Sequence, residues 1–441
     1  MVPLDPHDEL RQARLRRGWL RPELVEKLQQ WEDKHGSGKP LPVDRNYIYR
    51  WETGRRGVSE FYAIRLEAVL GIPRERLIDR RSRRRAGRPE AAARGGGGLG
   101  RQARVLVELP SQPYAPEAVT AIRQTLLGYG PASRLAGNDV DADRAVTVLD
   151  RQVTRAWRLR QKAQYVALGN LLPGLLADAE LAARELPEQQ RGHAVRLLVH
   201  AYNATSAMLK RLGDAELASI ASDRAIQAAQ RLDDPLLVAS AYYRLANVFL
   251  PAGRLAETKE IALSAADMLE PGLASSRVQL AAWGGLLLTA ALASARQGEW
   301  AETWELFGEA KTASRRLGHD YADLHTIFGP TNLAIHGVQL SVELGDGREA
   351  LRRAERVDPD RLPPSLLERR SHFLIDVARG HGQRFEDAAA VATLLRAERL
   401  APEEVRFNPL VHELVLLFLH RERSGAAPEL RGLANRIDIP A

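Results

Sequence analysis

Cysteine is absent from all 441 residues. That excludes a disulfide framework, a thiolate nucleophile and any cysteine-ligated zinc or iron–sulfur centre. Lysine is scarce too: 7 of the 63 basic residues are Lys and 56 are Arg, a usage that goes with a high-GC bacterial genome. A membrane-spanning run is also missing. The most apolar helical stretch, Leu280–Ala295, is interrupted by Trp283, Gly284, Gly285 and Thr289 and falls short of the ~20 residues needed to span. Asp5, Asp8 and Glu9 precede any apolar run, so the N-terminus does not read as a signal peptide. The expectation is a cytoplasmic protein with no membrane partner. At 45% apolar and 27% charged residues the chain is ordinary for a soluble globular protein, and its length predicts two or more units.

The net charge of +7 is unevenly placed. Residues 1–78 hold 15 basic and 12 acidic side chains, residues 79–104 hold 9 and 2, and residues 105–441 hold 39 and 42. The excess positive charge therefore lies in the first quarter, which reads as an anion-seeking part ahead of a slightly acidic body. Residues 80–104 are Arg-rich, contain a run of four glycines (Gly95–Gly98) and carry almost no large apolar residue. Such a segment buries too little surface to offset its ordering entropy, so it reads as a flexible basic linker. It serves as a solvated tether, as a source of nonspecific phosphate contacts, or as both. The glycine run is not a phosphate-binding loop, because no Lys-Ser/Thr pair follows it.

Residues 1–79 read as a helical DNA-binding domain. Leu10, Ala13 and Leu15 followed by Gly18 give a first helix and its stop, and Pro22 opens a second with Leu24, Val25, Leu28 and Trp31 inward. Asp44 caps a third helix that turns Ile48 and Trp51 inward. Helices over 59–70 and 74–78 follow. The outward face of the third helix is Arg45, Asn46, Tyr49 and Arg50, with Tyr47 beside them and Arg55 and Arg56 beyond its end. Arg forks onto guanine and Asn onto adenine in the major groove, so this pairing at a helix N-terminus suits double-stranded DNA. A solvated helical face is the bland alternative.

The first-helix text Leu10-Arg11-Gln12-Ala13-Arg14, with Leu24, Val25 and Ile48-Tyr49-Arg50-Trp51-Glu52-Thr53-Gly54-Arg55-Arg56, resembles the lambda-repressor/Xre helix-turn-helix family. The resemblance implies base contacts from Arg45, Asn46, Tyr49 and Arg50 and a structural role for Glu52. Two features depart from the family. Residues 29–43 form a longer connection between helices two and three, and Arg21-Pro22 replaces a polar amide, with Arg21 a substitute phosphate contact.

Residues 105–441 show helical periodicity almost throughout, apart from a short extended piece at 105–109. Gly213, Gly253, Gly298, Gly345 and Gly382 each follow one helix-length apolar segment and precede another, at spacings of 40, 45, 47 and 37. This predicts an array of helix–turn–helix units of about 40 residues, and the fold class is an all-α helix-turn-helix domain followed by an α-solenoid. The array resembles the tetratricopeptide family, with Leu245, Ala246 and Phe249, Ala218 and Ala225, and Phe307 and Ala310 at its small and aromatic positions. Such arrays line an inner face with the first helix of each pair. That face carries His200, Asn203, Tyr243, Asn247, Asn332, Gln339, His372 and Asp376, whose amides can hold a peptide backbone or simply be solvated. Met208, Trp283, Trp300 and Trp304 read as packing residues.

The two parts together resemble peptide- or ligand-controlled bacterial regulators of the Rgg/Rap/NprR/PlcR/PrgX group, and more closely actinomycete Xre-type regulators with such repeats. The phrases Trp157-Arg158-Leu159-Arg160-Gln161, Leu171-Leu172-Pro173-Gly174-Leu175 and Phe328-Gly329-Pro330-Thr331-Asn332-Leu333-Ala334-Ile335-His336 carry that likeness. It implies an effector, peptide or small molecule, bound by the repeats, and a homodimer. Asn332 and His336 are then ligand contacts or helix-packing residues. No catalytic arrangement emerges: His412-Glu413 lacks the second His of a metalloprotease string, and no G-x-S-x-G occurs. The expectation is a non-enzymatic transcriptional regulator without cofactor or metal. The competing class is a repeat scaffold for a protein partner, tethered to DNA by its N-terminal domain.

Overall fold

The computed structural model describes residues 6–35, 41, 43, 48, 51–52, 58, 60–77, 116–128, 130, 133, 141–322, 327–421 and 428–439. The chain divides into two compact units, Met1–Leu106 and Val107–Ala441. The protein is all-α. Among the described residues the only strands are β1 (Tyr321–Ala322) and β2 (Ile327–Phe328), a short antiparallel pair with Tyr321 opposite Phe328.

The first unit contains α1 (Pro6–Arg16), α2 (Arg21–His35), α3 (Glu60–Leu70) and α4 (Arg74–Leu77). Gly18, at φ +70, supplies the left-handed residue that stops α1. Leu10, Leu24, Leu28, Ile48, Trp51 and Leu66 share one core, and Trp51 packs on Tyr62 with ring centroids 4.7 Å apart. Inside that core lies an ion triad. Glu52 accepts from Arg14 Nε at 2.6 Å and Nη2 at 3.0 Å, and from Arg21 Nε at 2.8 Å. None of the three side chains is more than 1% exposed. Burial by itself would raise the Glu52 pKa, but the two guanidiniums hold it below the ordinary value. Glu52 thus ties together α1, the start of α2 and its own helix. Arg21 corrects the reading made for it: a side chain engaged in this triad cannot reach a phosphate. Arg45, Asn46, Tyr47, Tyr49, Arg50, Arg55 and Arg56 lie outside the described residues, as do Asp44, the linker 80–104 and residues 105–109.

The second unit opens with α5 (Pro116–Leu126) and continues as antiparallel pairs. They are α6 (Ala142–Gln161) with α7 (Tyr165–Glu185), α8 (Glu188–Arg211) with α9 (Ala215–Ala229), and α10 (Pro235–Phe249) with α11 (Leu255–Leu269). Next come α12 (Arg277–Arg296) with α13 (Trp300–Leu317), α14 (Pro330–Glu343) with α15 (Gly347–Ala354), and α16 (Leu367–Gln383) with α17 (Asp387–Leu400). Finally α18 (Pro402–Arg406), α19 (Pro409–Arg421) and α20 (Pro428–Arg436) close the chain.

The turn inside each pair has one residue at positive φ: Ala163, Gly213, Gly253, Gly298, Gly345 and Phe385. Where the text reads Gly-Asp, the Asp then caps the next helix. Asp214 accepts from Leu217 N at 3.0 Å and Asp346 from Glu349 N at 2.9 Å. The fifth expected turn is displaced. Gly382 lies within α16, where an added Cβ would stand 3.1 Å from the Phe418 ring, and Phe385 takes the turn at φ +60. Ala163 marks a further pair that a search for glycine could not find.

The first helices of the pairs form an inner layer in which each touches the next, from α6 through α8, α10, α12 and α14 to α16. The array curls until α6 also touches α16. Both α7 and α12 are long and apolar enough to cross a membrane, which corrects the shorter reading of Leu280–Ala295. In α12, 78% of the apolar window is buried among neighbouring helices, and this packing accounts for its composition. Met208 and Trp283 are buried as expected, whereas Trp300 is half exposed and does not pack between helices. Gly284 has a steric purpose: Phe328, fully buried, sits where a Cβ would come within 2.1 Å of its ring. The hairpin is thereby seated directly on the α12 backbone.

Glu52→Ala leaves two guanidiniums buried without a counter-ion. It is expected to destabilise the first unit by about 3–5 kcal/mol, read as a lowered denaturant midpoint for the unfolding of that unit. An unchanged midpoint would show the triad to be dispensable. Gly284→Ala is expected to destabilise the second unit by roughly 1–3 kcal/mol through overpacking against Phe328, read by thermal unfolding.

Candidate effector site on the inner face

The inner layer forms a partly open cavity of about 170 Å³, comparable in volume to one that accepts a benzene-sized group. It lies across α8, α10 and α12, with Trp157 of α6 and Ile327 of β2 completing it. Its apolar wall is Leu236, Leu237 and Ala239 of α10 with Val278, Ala282 and Leu286 of α12. Its polar groups come from one stripe of α8, Arg196, His200 and Asn203, and from Ser240, Tyr243 and Arg244 of α10. Helical spacing puts each set on one face. Apolar walls with a few convergent polar groups are the usual makeup of a ligand site.

Each polar group is held in a defined way. Arg196 pairs with Asp234, which also caps α10 by accepting from Leu237 N at 3.1 Å. Arg244 lies over Trp157 and Tyr243, 4.8 and 4.9 Å from their ring centroids, so its position is fixed by two aromatic faces. Asn203 is 2% exposed; its Nδ2 donates to Ser240 Oγ at 3.4 Å, and its Oδ1 accepts no hydrogen bond. A buried acceptor left in that condition costs about 1–3 kcal/mol.

Beyond the cavity the inner face becomes ionic. Glu368 of α16 accepts from Arg211 at 3.1 Å and pairs with Arg160 at 3.5 Å. Arg211 also pairs with Glu404 of α18 at 3.1 Å, and Tyr165 donates its hydroxyl to Glu404 at 2.6 Å. These contacts join α6, α7 and α8 to α16 and α18, elements some 200 residues apart in the chain. Further round, Glu343 is shared by Arg296 at 3.0 Å and Arg379 at 3.1 Å, and Arg379 also reaches Asp376 at 3.1 Å.

The sequence-derived candidates therefore separate. Asn203 and Tyr243, together with His200, line the cavity. Asn247 instead donates to Tyr243 O of its own helix at 2.8 Å. Asn332 donates to Ile327 O at 2.8 Å and accepts from Arg369 Nε at 2.6 Å, which ties the hairpin to α16. Gln339 and His372 meet at 3.3 Å. Burial pushes both His336 and His372 well below the ordinary histidine value, aided by Arg369 beside each, so both are neutral at pH 7. The residues missed in the sequence are Arg160, Arg211, Arg244, Glu368 and Glu404. Their signal was hidden because charged residues read by default as solvated faces.

No family model matches the chain, and no curated protein matches it. Among solved structures it is similar to a crystal structure of Rap protein complexed with competence and sporulation factor. The TM-score is 0.37 and the identity 10%, over 66% of this chain and 92% of that one.

The ionic layer has a definite pH signature. Burial pushes Glu404 up to about 7 and Asp376 up to about 6, although Arg211 and Arg379 oppose it. A carboxyl whose pKa rises on folding stabilises the fold below its ordinary value and loses that contribution as pH climbs through the raised one. Glu343 behaves oppositely. Burial would raise it, but Arg379 and Arg296 hold it down to about 2. Its contribution is present above the ordinary value of 4.5 and is lost as pH falls from there toward 2. From these three carboxyls the thermal midpoint of the second unit is expected to be highest near pH 4.5 and to fall toward pH 2 and toward pH 7, while the depressed His336 and His372 oppose the alkaline fall up to about pH 6.5. Glu404→Gln, a mimic of the neutral carboxyl, should flatten the alkaline limb in circular-dichroism melts. A limb unchanged in the variant would remove Glu404 from this account.

Proposed function

We propose that the protein is a DNA-binding transcriptional regulator whose helical-pair unit senses an effector. The observation that carries the sensing part is the cavity across α8, α10 and α12, with the buried, unsatisfied Asn203 Oδ1 in its wall. An acceptor buried and unpaired at a cavity is satisfied when a ligand brings an N–H or O–H to it. His200, Tyr243 and Arg244 stand around the same space. Trp157 and Ile327 belong to elements other than α8, α10 and α12, so occupation of the cavity acts on α6 and on the hairpin as well.

The DNA-reading part rests on the positive charge of the first quarter, on the Arg45, Asn46, Tyr49 and Arg50 arrangement and on the helix-turn-helix resemblance. The Arg14–Glu52–Arg21 triad supports it by holding rigid the helix that carries Ile48, Trp51 and Glu52. Tyr47, Arg55 and Arg56 complete the proposed contact set, and a homodimer on a roughly palindromic site is the proposed assembly. An effector shifts such a regulator only if it binds one arrangement of the dimer better than the other.

A gel-shift assay on the DNA upstream of the protein's own coding region tests the reading. Arg45→Ala with Arg50→Ala is expected to remove sequence preference, each lost bidentate contact being worth about 1–3 kcal/mol of discrimination. Variants that select the site as the parent does would end the major-groove assignment.

A further inference from the structure

The hydrogen bonds in the cavity wall fix which kind of group it can receive. Ser240 has one hydroxyl hydrogen, and that hydrogen goes to Leu237 O at 2.7 Å. Toward Asn203 the Ser240 oxygen is therefore an acceptor, and Asn203 turns its Nδ2 to it at 3.4 Å. The reverse orientation of the amide would set two acceptors against each other, so the bonding network fixes which atom is which. Oδ1 is the atom left over, buried and without a hydrogen bond. A ligand bonds there through a donor and not through an acceptor. The charged side chains of the lining are Arg196, Asp234 and Arg244, and each is engaged. Arg196 pairs with Asp234, and Arg244 lies over the Trp157 and Tyr243 rings. A charged ligand would set an ion against apolar walls with no counter-ion assigned to it, which burial penalises. Room in the cavity is kept by Gly285 of α12. Outside its own helix, a Cβ added there would meet only Tyr243 Cε2, at 4.0 Å, so the glycine leaves space beside the tyrosine ring that a larger residue would fill.

We propose that the cavity takes an uncharged, largely apolar ring group carrying an N–H or O–H donor, held by Asn203 Oδ1 and admitted by Gly285. The inference rests on the effector-cavity reading and gives that ligand its chemical class. The ring lies against Leu236, Val278, Ala282 and Leu286, the apolar part of the lining. Asn203 Oδ1 is already out of water in the folded chain, so a donor that reaches it gains a hydrogen bond without further desolvation of the protein. A ring of the same shape without the donor gains only its apolar burial.

The test is calorimetric titration of the full chain with indole and with indene, which has a methylene where indole has its N–H. Hydrophobic transfer alone favours indene, so the order of the two affinities reads the hydrogen bond. Indole is expected to bind at least about tenfold more tightly than indene, a difference of roughly 1.4 kcal/mol, and more tightly than its charged derivatives indole-3-acetate and tryptamine. Asn203→Leu should remove the preference for indole while indene still binds. Gly285→Leu should weaken both probes at least about tenfold by filling their space, with the thermal midpoint of the second unit retained. If the leucine variant does not fold, Gly285→Ala reads the same loss at smaller amplitude. Indene binding as tightly as indole, tighter binding of either ion, no saturable binding of any probe, a preference that survives Asn203→Leu, or undiminished binding in the folded Gly285 variant overturns the proposal. Repeating the titration with the upstream DNA bound separates this inference from the effector reading. An indole preference with the same affinity in free and DNA-bound protein keeps the ligand class and ends the effector reading. Equal binding of indole and indene that DNA shifts keeps the effector cavity and ends the ligand class.

Discussion

The second unit depends on one arginine placed between two carboxylates from the other end of the array. Arg211, at the end of α8, pairs with Glu368 on α16 and with Glu404 on α18. An array of stacked helical pairs has no intrinsic reason to close, because each pair contacts only its neighbours. Here the ends meet, and the meeting is ionic and buried. Removing such charges from water is costly, and a buried ion pair is weak as a source of net stability. Its effect is on geometry. The register of α6 and α8 against α16 and α18 is the one that engages Arg160, Arg211, Glu368, Glu404 and the Tyr165 hydroxyl at once.

That closure sets the character of the inner face. In an open array the polar residues of the first helices would face solvent. In the closed one they bond neighbouring groups or border the cavity. Asn332, Gln339 and Asn247 take the first course, each with a partner within hydrogen-bond reach. Asn203 takes the second and keeps an unsatisfied oxygen at the cavity. Gln339 Oε1 is likewise left without a hydrogen bond, so what sets Asn203 apart is its place in the cavity wall, from which the proposed effector role follows. The hairpin β1–β2 takes part because Phe328 rests on Gly284 and Ile327 reaches the cavity.

The first unit uses the same chemistry on a smaller scale. Glu52 between Arg14 and Arg21 fixes three segments that a core of Leu, Ile and Trp would hold with less directional preference. In a chain with 56 arginines and 7 lysines, planar guanidiniums are at hand for sites where one side chain must bridge two partners. They serve both as buried locks and, in the proposed DNA contacts, as groove readers. Composition alone does not distinguish these uses.

Much of the local structure was legible in the residues. Gly213, Gly253, Gly298 and Gly345 marked turns because an L-residue rarely adopts positive φ without cost. Pro22, Gly18 and the inward Ile48 and Trp51 were legible for equally local reasons. The exceptions arose where a neighbour distant in sequence overrode the local signal. Phe418 packs on Gly382, so the turn moved to Phe385; Glu52 drew Arg21 into the core; and the hairpin's Phe328 gave Gly284 a steric role that helix periodicity does not show. By itself the sequence determined an all-helical chain in repeating pairs, without cysteine chemistry and with its positive charge at one end, because periodicity, capping and composition are written within a few residues. Only the tertiary structure decided that the array closes, which charges are buried, and that Asn203, Tyr243 and Arg244 share one cavity. Those outcomes depend on which residues meet across hundreds of positions, and desolvation then makes charges that look like a solvated surface into the groups that fix the interior.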